Sequence, residues 1–550
     1  MITRAEITGR AAFYRNAANL PVDFYRIRQR LFLPLPVAEF PENLSFVRGL
    51  ENYPYAIWVL WELEERILVL GLAAEWGGDS AAVVRDLVAL AGWRRFRQLE
   101  IPDLCSAHLA RIFCRSLDWK WLPAGLRKEI LAALHRLVED GARVLPKLPA
   151  GTVGELLAQG VRFPNIPTIG ALCLSLAAAR CRHIRAEEFR EHARRMAGLW
   201  LEWGLAGHVE GVSYDGYTAD FLMDWLEVLP TGMRREMLAS PRLPQILDEI
   251  RHLGAPRRPE NLAPIGDVEP REMRFHYSFA AKFLRQVPEQ EGFVFPRDAR
   301  KFLRCDGLAY LPAPGPRRRE GRGLRDAHYA LGLVGGADAK AVVSWSHSTF
   351  GHMQWDAGSL VIGVGGEWLL SDPGYRQYLP TAEQAFTLGP AAHNTPVING
   401  EAQSRPLPDR EFEELAEGGR RGVRLEAGSA YAGLEGSYFR EVCFDAAGRL
   451  VVEDHFDGAS IRRLDYHWHG DPQAAWRVAD GQASILGAEG NLLRFSCEGV
   501  PFSPTELQRL RGSRGHLSLV KIFHFTKPRK QLRLRWVFEI FPAGGSAGCR

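Results

Sequence analysis

The chain has 550 residues, which is room for about three or four average domains. It is 46% hydrophobic, 24% charged and 10% aromatic, a balance that excludes extensive disorder and a collagen-like repeat. The 69 Lys and Arg residues against 65 Asp and Glu residues give a net charge of +4. That excess is too small to indicate a protein dedicated to nucleic-acid binding.

The eight cysteines form no CxxC pair, which argues against a zinc ribbon, a thioredoxin-like site and a disulfide scaffold. A reducing compartment is the simpler interpretation. The N-terminal region contains no unbroken apolar stretch followed by a cleavage signal, so we expect a cytoplasmic protein. The most apolar early stretch, residues 56–76, is interrupted by Glu62, Glu64, Glu65 and Arg66 and does not predict a membrane span.

The first half of the chain has the hydrophobic spacing of helices. Within 60–74, apolar residues recur at three- and four-residue steps while Glu62, Glu65 and Arg66 fall on another face, which predicts an amphipathic helix. The same spacing over 126–138 predicts a helix that ends near Gly141. Further helices are predicted over 170–179, 189–203 and 221–229. We therefore expect a helical domain over residues 1–265.

The pattern of apolar residues changes after residues 254–270. This segment is proline-rich and charged, which predicts a linker or a covering loop. Short β-prone runs separated by glycine-bearing turns follow. Residues 443–445 and 449–452 flank a turn with Gly448, which predicts a hairpin. We therefore expect mostly antiparallel β structure over residues 266–550.

The densest group of candidate functional residues lies between residues 345 and 403. It brings His352, Asp356, Asp372 and His393 around two strand-like runs. Imidazole nitrogens and carboxylate oxygens are ligands that suit zinc.

In order along the chain, this group resembles the heparinase II/III-like superfamily of polysaccharide lyases. The resemblance rests on the run from His352 to Ser359, on Asp372-Pro373-Gly374, on His393-Asn394-Thr395 and on Asn399-Gly400. It implies an N-terminal (α/α) toroid followed by an antiparallel β-sandwich domain, which agrees with the helical and strand patterns. It also implies cleavage of acidic polysaccharides by β-elimination.

The resemblance further implies a structural zinc. It gives His352 a place in the substrate cleft and assigns the ligand positions to Gln354, Asp372 and His393. Gln354 departs from the family pattern, because an amide oxygen is a poorer zinc ligand than an imidazole. The alternative is that Asp372 and His393 form a hydrogen bond without metal and brace the two strands.

A second candidate site lies in the helical half, in the segment 207–218. It resembles the family's Glu-Gly-x-x-Tyr-x-x-Tyr segment, whose last tyrosine carries the proton, so Tyr217 is the first choice and Tyr214 the second. The alternative is that both tyrosines are packing residues. The segment 162–172 resembles the family loop that supplies a substrate-binding asparagine, here Asn165.

The chemistry requires such residues together. A uronate lyase removes the proton α to a carboxylate and expels the C4 oxygen, so the developing enolate must be neutralised. Asn165 could donate to the substrate carboxylate, His352 or Tyr217 could take the C5 proton, and Tyr217 could donate to the leaving oxygen. This predicts a cleft between the two domains. The further substrate contacts that we predict are Arg162, Glu210, His347 and Asp356.

Two other functions stay open. The protein could bind an acidic glycan without cleaving it, in polymer assembly or export. It could also be a toroid glycoside hydrolase, which would use two carboxylates, with Glu210 and Asp215 as the pair. All three readings make an acidic polysaccharide or oligosaccharide the expected partner, and none involves nucleic acid.

Overall fold

The computed structural model describes residues 4–24, 29–41, 56–206, 210–258, 261–267, 273–287, 328–332, 339–344, 352, 354–373, 382–387, 389–404, 412–416, 418–513 and 515–544. The chain divides into two compact units. Of the described residues, the helical unit contains those up to 206, 214–245 and 273–287. The sheet unit contains 210–213, 246–267 and those from 328 onward. The sequence analysis placed a single boundary after residue 265, whereas the chain passes between the units several times.

Helices dominate the first half of the described chain. They are α1 (Arg4–Arg15), α2 (Ala56–Glu75), α3 (Ala81–Ala91), α4 (Leu104–Ser116), α5 (Ala124–Arg143), α6 (Val153–Ala158), α7 (Asn165–Arg180), α8 (Ala186–Leu205), α9 (Val212–Leu226), α10 (Thr231–Leu238), α11 (Arg242–Leu253) and α12 (Met273–Gln286). A small antiparallel hairpin, β1 (Asn19–Phe24) with β2 (Gln29–Pro34), precedes α2.

Helix α2 corrects the expectation of a simple amphipathic helix. Glu65 and Arg66, predicted to lie on a polar face, are 7% and 2% exposed. Each charge is instead paired with a neighbouring helix: Arg66 Nε lies 2.7 Å from Asp86 on α3, and Glu65 lies 3.0 Å from Arg10 on α1. Periodicity cannot distinguish a solvated face from a face that meets opposite charges, since both require polar residues at the same spacing.

Helix α5 differs from the prediction at its end. Gly141 was expected to stop the helix, but α5 continues to Arg143. A Cβ at position 141 would lie 2.9 Å from Leu174 Cδ1 on α7. Glycine is therefore required here by the close approach of two helices, and the helix does not end at it.

The second half of the described chain is antiparallel β structure. The strands are β3 (His328–Gly332), β4 (Ala339–Ser344), β5 (Leu360–Val364), β6 (Glu367–Ser371), β7 (Val397–Ile398), β8 (Phe412–Leu415), β9 (Arg421–Glu426), β10 (Ser437–Phe444), β11 (Leu450–Gly470), β12 (Ala475–Ala479), β13 (Gln482–Leu486), β14 (Leu492–Cys497), β15 (Leu507–Gln508) and β16 (Ser518–Phe541), with a short helix α13 (Ala382–Thr387). The main path runs β12-β13-β14-β16-β11-β6-β5-β4-β3. The predicted class, helical first and antiparallel β second, is confirmed.

The predicted hairpin is the turn between β10 and β11. Phe444 pairs with Leu450 across it, and Asp445 Oδ1 accepts from the backbone N–H groups of Ala447 and Arg449. Gly448 has φ of +77°, a backbone conformation that only glycine adopts without strain. The glycine turn that the sequence predicts therefore fixes the register of β10 and β11.

The proline-rich segment after α11 is a covering segment of the sheet unit. Lys340 on β4 donates to the Gly254 carbonyl at 2.8 Å, and Trp368 Nε1 on β6 donates to the Asn261 carbonyl at 2.9 Å. The Arg257 N–H donates to the Gly365 carbonyl. Irregular backbone can lie on the sheet here because its polar groups find partners.

A buried ion pair joins the sheet core to the loops that carry the motif. Arg440 on β10 donates from Nε to Asp454 Oδ1 on β11 at 2.7 Å, and both side chains are fully buried. Its Nη1 donates to the carbonyls of Gly358 and Asn394, at 2.6 and 2.8 Å. Burial of a guanidinium is tolerable only when its N–H groups are satisfied in this way.

Two further properties bear on the sequence analysis. No helix in the described part of the chain is long and apolar enough to span a membrane. The cysteines in that part, residues 105, 114, 173, 181, 443 and 497, are buried free thiols, while Cys305 and Cys549 lie outside the described residues.

Replacing Arg440 by Met should lower the free energy of unfolding by about 3–5 kcal/mol, because it leaves the Asp454 carboxylate buried without its cation. The matched control is Arg449→Met, which removes an exposed ion pair with Asp445 from the same hairpin and should cost less than about 1 kcal/mol. Urea unfolding followed by circular dichroism measures both. Equal losses in the two variants would contradict this role for Arg440.

Candidate active site

His352 is the most accessible of the described candidate contact and ligand residues between 352 and 393. Its side chain is 17% exposed, whereas Gln354, Asp356, Asp372 and His393 are each 7% exposed or less. The ring lies between two carboxylates: Nδ1 is 2.9 Å from Asp267 Oδ2 and Nε2 is 3.5 Å from Glu210 Oε1. His352 therefore remains the motif residue that can meet a ligand.

The backbone fixes the position of this ring. The His352 N–H donates to the Glu210 carbonyl at 2.9 Å, and the Asp267 N–H donates to the His352 carbonyl at 3.1 Å. The segment around Glu210 and the covering segment thus hold His352 from two sides. Because the backbone and the side-chain partners already fix this ring, it loses little conformational entropy when a ligand binds.

Asp267 is a functional residue that the sequence analysis missed. It accepts from His352 on one carboxylate oxygen and from Gln354 Nε2 on the other, the latter at 2.8 Å. It lies in the segment interpreted as a linker or covering loop, so neither helix nor strand periodicity pointed to it. The available signal was the Gly266-Asp267 pair, since Gly266 has φ of +67° and places the next residue in a tight turn.

Gln354 takes a different role from the one that the resemblance implies. Its amide donates to Asp267, which makes it a support for the carboxylate that orients His352. Asp372 and His393 are 3.1 Å apart and hydrogen-bonded, as in the metal-free alternative, and Ser359 Oγ donates to the same Asp372 oxygen at 3.0 Å. The hydrogen bond between Asp372 and His393 is the one that the metal-free alternative requires, and the three-ligand zinc set stays a prediction.

The predicted zinc set contains only two ligands of the usual kinds, Asp372 and His393. Among the described residues, the one group of three His, Cys, Asp or Glu ligand atoms within 4.8 Å of one another is Glu441, Glu453 and His455. Its Glu453 is already paired with Arg533 and Arg535. The zinc assignment stays a prediction, and no step below is routed through a metal.

Asp356 was expected to contact the substrate, but it is 1% exposed. Burial raises the pKa of its carboxyl to about 6, against the opposing attraction of His393. Ser344 lies nearby, yet no hydrogen bond of normal geometry satisfies either carboxylate oxygen. A group with this burial is part of the support beneath the site and does not reach a sugar.

The His-Asn-Thr part of the motif is a buried brace. Asn394 Nδ2 donates to the carbonyls of Leu360 and Ser371, at 2.7 and 2.6 Å, and its Oδ1 accepts from the His469 N–H. One amide thus joins β5, β6 and β11. Because all three strands lie beside the motif loop, this side chain positions it.

Tyr217 lies on α9 of the helical unit, at the end of a chain of hydrogen bonds. Its hydroxyl is 2.5 Å from His108 Nε2, and Trp61 Nε1 donates to the hydroxyl oxygen at 3.1 Å. His108 Nδ1 is hydrogen-bonded in turn to Glu64. Sequence reasoning selected Tyr217 but not His108 or Glu64.

Glu64 and His108 could have been noticed in the sequence because each is an ionisable side chain within an otherwise apolar helical pattern. Glu64 on α2 and His108 on α4 are both completely buried. The sequence analysis assigned the α2 charges to a polar face, and a lone histidine on α4 carries no motif. Only the packing of α2, α4 and α9 brings the three side chains together.

Tyr217 is also more enclosed than expected. It is 1% exposed, and its ring packs 4.2 Å from Phe275 and 5.5 Å from Phe221, centroid to centroid. The segment that carries both tyrosines is helical from Val212 onward. Tyr214, one turn earlier, is 5% exposed.

The remaining predicted residues have separate positions. Asn165 is the first residue of α7 and is 2% exposed, and the half-buried Arg162 donates to the Val161 carbonyl at 3.1 Å. His347 lies outside the described residues. Tyr217 belongs to the helical unit and His352 to the sheet unit, so their convergence on one cleft stays a prediction.

Asp356 makes the stability of the sheet unit depend on pH. A carboxyl whose pKa is raised on folding binds more protons in the folded state, so stability falls as pH rises from about 4 to above 6. We expect wild type to lose about 3 kcal/mol relative to Asp356→Asn over this range, from about 1.4 kcal/mol per pKa unit. Denaturant titrations at several pH values measure this, with Asp480→Asn at an exposed site as control.

The zinc question has a direct test. Because Asp372 and His393 are hydrogen-bonded to each other, as in the metal-free alternative, we expect treatment with a chelator to change the melting temperature by less than about 1 °C, whereas a structural zinc contributes to folding outright. Elemental analysis of the purified protein supplies the second measurement. One zinc per chain, together with a lower melting temperature after chelation, would restore the predicted ligand set.

Comparison with known proteins identifies a family for the C-terminal part of the chain and similar folds for most of it. Residues 316–536 match the family model described as Heparinase II/III-like, C-terminal. No curated protein sequence matches the chain. Among solved structures, a heparinase III gene product has 15% identity and a TM-score of 0.59, with 88% of this chain and 78% of that one covered.

Two further structures share the fold. Heparinase III has 13% identity and a TM-score of 0.58, with 88% of this chain and 77% of that one covered. Heparan sulfate lyase HepC from Pedobacter heparinus has 12% identity and a TM-score of 0.53, with the same coverage. At these identities the likeness establishes the fold of polysaccharide lyases. Residues 316–536 thus match the C-terminal domain of the heparinase II/III-like family that the motifs resemble, and the fold of the chain is that of these lyase structures.

Proposed function

We propose that the protein is a polysaccharide or oligosaccharide lyase that cleaves a uronate-containing acidic glycan by β-elimination. The observation that carries the proposal is His352, a partly exposed imidazole fixed between Asp267 and Glu210 in a heparinase II/III-like domain. The fold and the motif order support the same reaction class. The identity of the sugar is outside the proposal.

The reaction requires two proton transfers. The C5–H bond breaks and its electron pair forms the C4–C5 double bond, while the C4–O bond breaks and the leaving oxygen takes a proton. Charge accumulates on the substrate carboxylate in the transition state, so a hydrogen-bond donor there lowers the barrier. We assign this donor to the amide of Asn165.

His352 suits the role of proton donor to the leaving oxygen. Carboxylates at 2.9 and 3.5 Å from its two nitrogens favour the imidazolium, because an opposite charge within about 4–6 Å stabilises the charged form. An imidazolium can give a proton to the leaving oxygen and recover it from solvent. Tyr217 then takes the role of the base that accepts the C5 proton. This role requires a group that accepts the phenol proton of Tyr217 and a bound substrate that uncovers the Tyr217 hydroxyl.

The hydrolase alternative is weakened by the position of Asp215. Its carboxylate accepts from Arg242 at 2.9 Å, and both side chains are at most 3% exposed. A catalytic carboxylate of a glycosidase must reach the glycosidic bond or a water beside it. The ion pair with Arg242 is the more direct explanation for an aspartate at this position.

The assay is incubation of the purified protein with alginate, heparan sulfate, hyaluronan and bacterial exopolysaccharides, followed by the ultraviolet absorbance of unsaturated uronate. We expect turnover on at least one polymer, and a loss of about 100-fold or more in kcat for both Tyr217→Phe and His352→Gln, since each removes a proton-transfer group. His455→Gln, at another half-buried histidine of the sheet unit, is the matched control and should retain activity.

Two outcomes would contradict the proposal. Tight binding of an acidic polymer with no rise in absorbance would identify a glycan-binding protein. Saturated products, with activity lost in Glu210→Gln or Asp215→Asn, would identify a hydrolase.

A further inference from the structure

Tyr217, His108 and Glu64 form a hydrogen-bonded series of phenol, imidazole and carboxylate inside the helical unit. The distances are short, with 2.5 Å between the Tyr217 hydroxyl and His108 Nε2, and the far nitrogen of His108 is bonded to Glu64. All three side chains are at most 1% exposed. Water therefore does not compete for these hydrogen bonds, and each is stronger than it would be at the surface.

The partners define the direction of the hydrogen bonds. Glu64 as a carboxylate only accepts, so His108 Nδ1 carries the hydrogen of that bond. In the neutral imidazole Nε2 is then the acceptor, and it receives the O–H of Tyr217. Trp61 Nε1 can only donate, and it lies 3.0 Å from His108 Nε2 and 3.1 Å from the phenol oxygen, so these two acceptors share its hydrogen. Once the phenol proton is on Nε2, only the phenol oxygen can accept from Trp61. This is the arrangement that withdraws the phenol proton and stabilises the oxygen left behind.

We propose that Glu64 and His108 are positioning residues that accept the proton of Tyr217 and so make it the base of the elimination. This rests on the proposed function. The Tyr217 O–H bond breaks as an N–H bond forms on His108 Nε2, and Glu64 offsets the imidazolium. The phenolate takes the C5 proton and passes it to solvent from its uncovered hydroxyl, the proton on His108 Nε2 then returns to the Tyr217 oxygen, and His352 regains a proton from solvent. No net proton is gained or lost over the cycle.

The remaining charges around the series are themselves paired. Arg111 on α4 lies 3.6 Å from Glu64 and binds Asp220 and Asp224 on α9, which Lys282 on α12 also binds. His276 on α12 packs against the backbone of Gly216, next to Tyr217. Arg111 thus keeps Glu64 ionised beside His108, which is the state that the proton transfer needs.

A tyrosinate titration tests the series without requiring turnover. The chain has 14 tyrosines, so the signal of Tyr217 is the difference in near-ultraviolet absorbance between a protein and the same protein carrying Tyr217→Phe. In His108→Gln we expect Tyr217 to ionise at a higher pH than in wild type, because its proton acceptor is gone. Glu64→Gln should shift it in the same direction by less.

The matched control is His183→Gln. His183 is also buried in the helical unit and also paired with a glutamate, Glu139, at 2.8 Å, but it touches no tyrosine named in the series. It should leave the Tyr217 titration unchanged. Should His108→Gln fail to fold by circular dichroism, Glu64→Gln, which keeps the shape of the side chain, gives the same comparison.

Kinetics supply the second readout. On a polymer that the wild type cleaves, His108→Gln should lower kcat by about 100-fold with KM nearly unchanged, and move the acidic limb of the pH–rate profile to higher pH. A folded His108→Gln variant with an unshifted Tyr217 titration and wild-type kcat would overturn the relay. Absence of cleavage on every polymer, with the titration shifted as expected, would overturn the lyase proposal and leave the relay standing.

Discussion

The helical unit depends on a group of charges that are buried where four helices meet. Arg111 on α4 binds Asp220 and Asp224 on α9 at 2.8 and 2.6 Å, Lys282 on α12 binds the same two carboxylates, and Glu64 on α2 lies 3.6 Å from Arg111. Isolated burial of any one of these charges would cost several kcal/mol, so the helices can pack only in the register that pairs them all. Such a network fixes where each helix lies along its neighbours.

The same register creates the chain of hydrogen bonds that ends at Tyr217. His108 is one turn before Arg111 on α4, and Tyr217 is one turn before Phe221, whose ring lies 3.5 Å from the Arg111 guanidinium. Residues three or four apart share a helix face, so the faces that carry the ion pairs also carry the imidazole and the phenol. The ionic network and the candidate proton relay are therefore two parts of one helix interface.

In the sheet unit, several motif residues hold strands and loops together, which the order of the motif along the chain does not show. Asn394 joins three strands, Asp372 holds His393 and Ser359, and Arg440 ties the motif loop to the core. Most residues of the motif are therefore buried supports. Of the described candidate residues between 352 and 393, His352 has the most accessible side chain, and its ring is held by Asp267, which comes from the covering segment. The pattern in the sequence marks a scaffold together with the functional group that it carries.

The sequence by itself determined the order of helical and antiparallel parts and the β10–β11 hairpin around Gly448, and its motifs carried the family resemblance that makes Tyr217 and His352 candidates. These follow from local rules, since periodicity, turn chemistry and motif order are all written along the chain. Tertiary structure alone decided that Glu64 and His108 meet Tyr217, that Asp267 orients His352, that Gln354 serves Asp267, and that Asp356 is buried. Those pairings join residues 44 to more than 150 positions apart, and a charged side chain shows the same pattern in sequence whether it meets water or a buried partner.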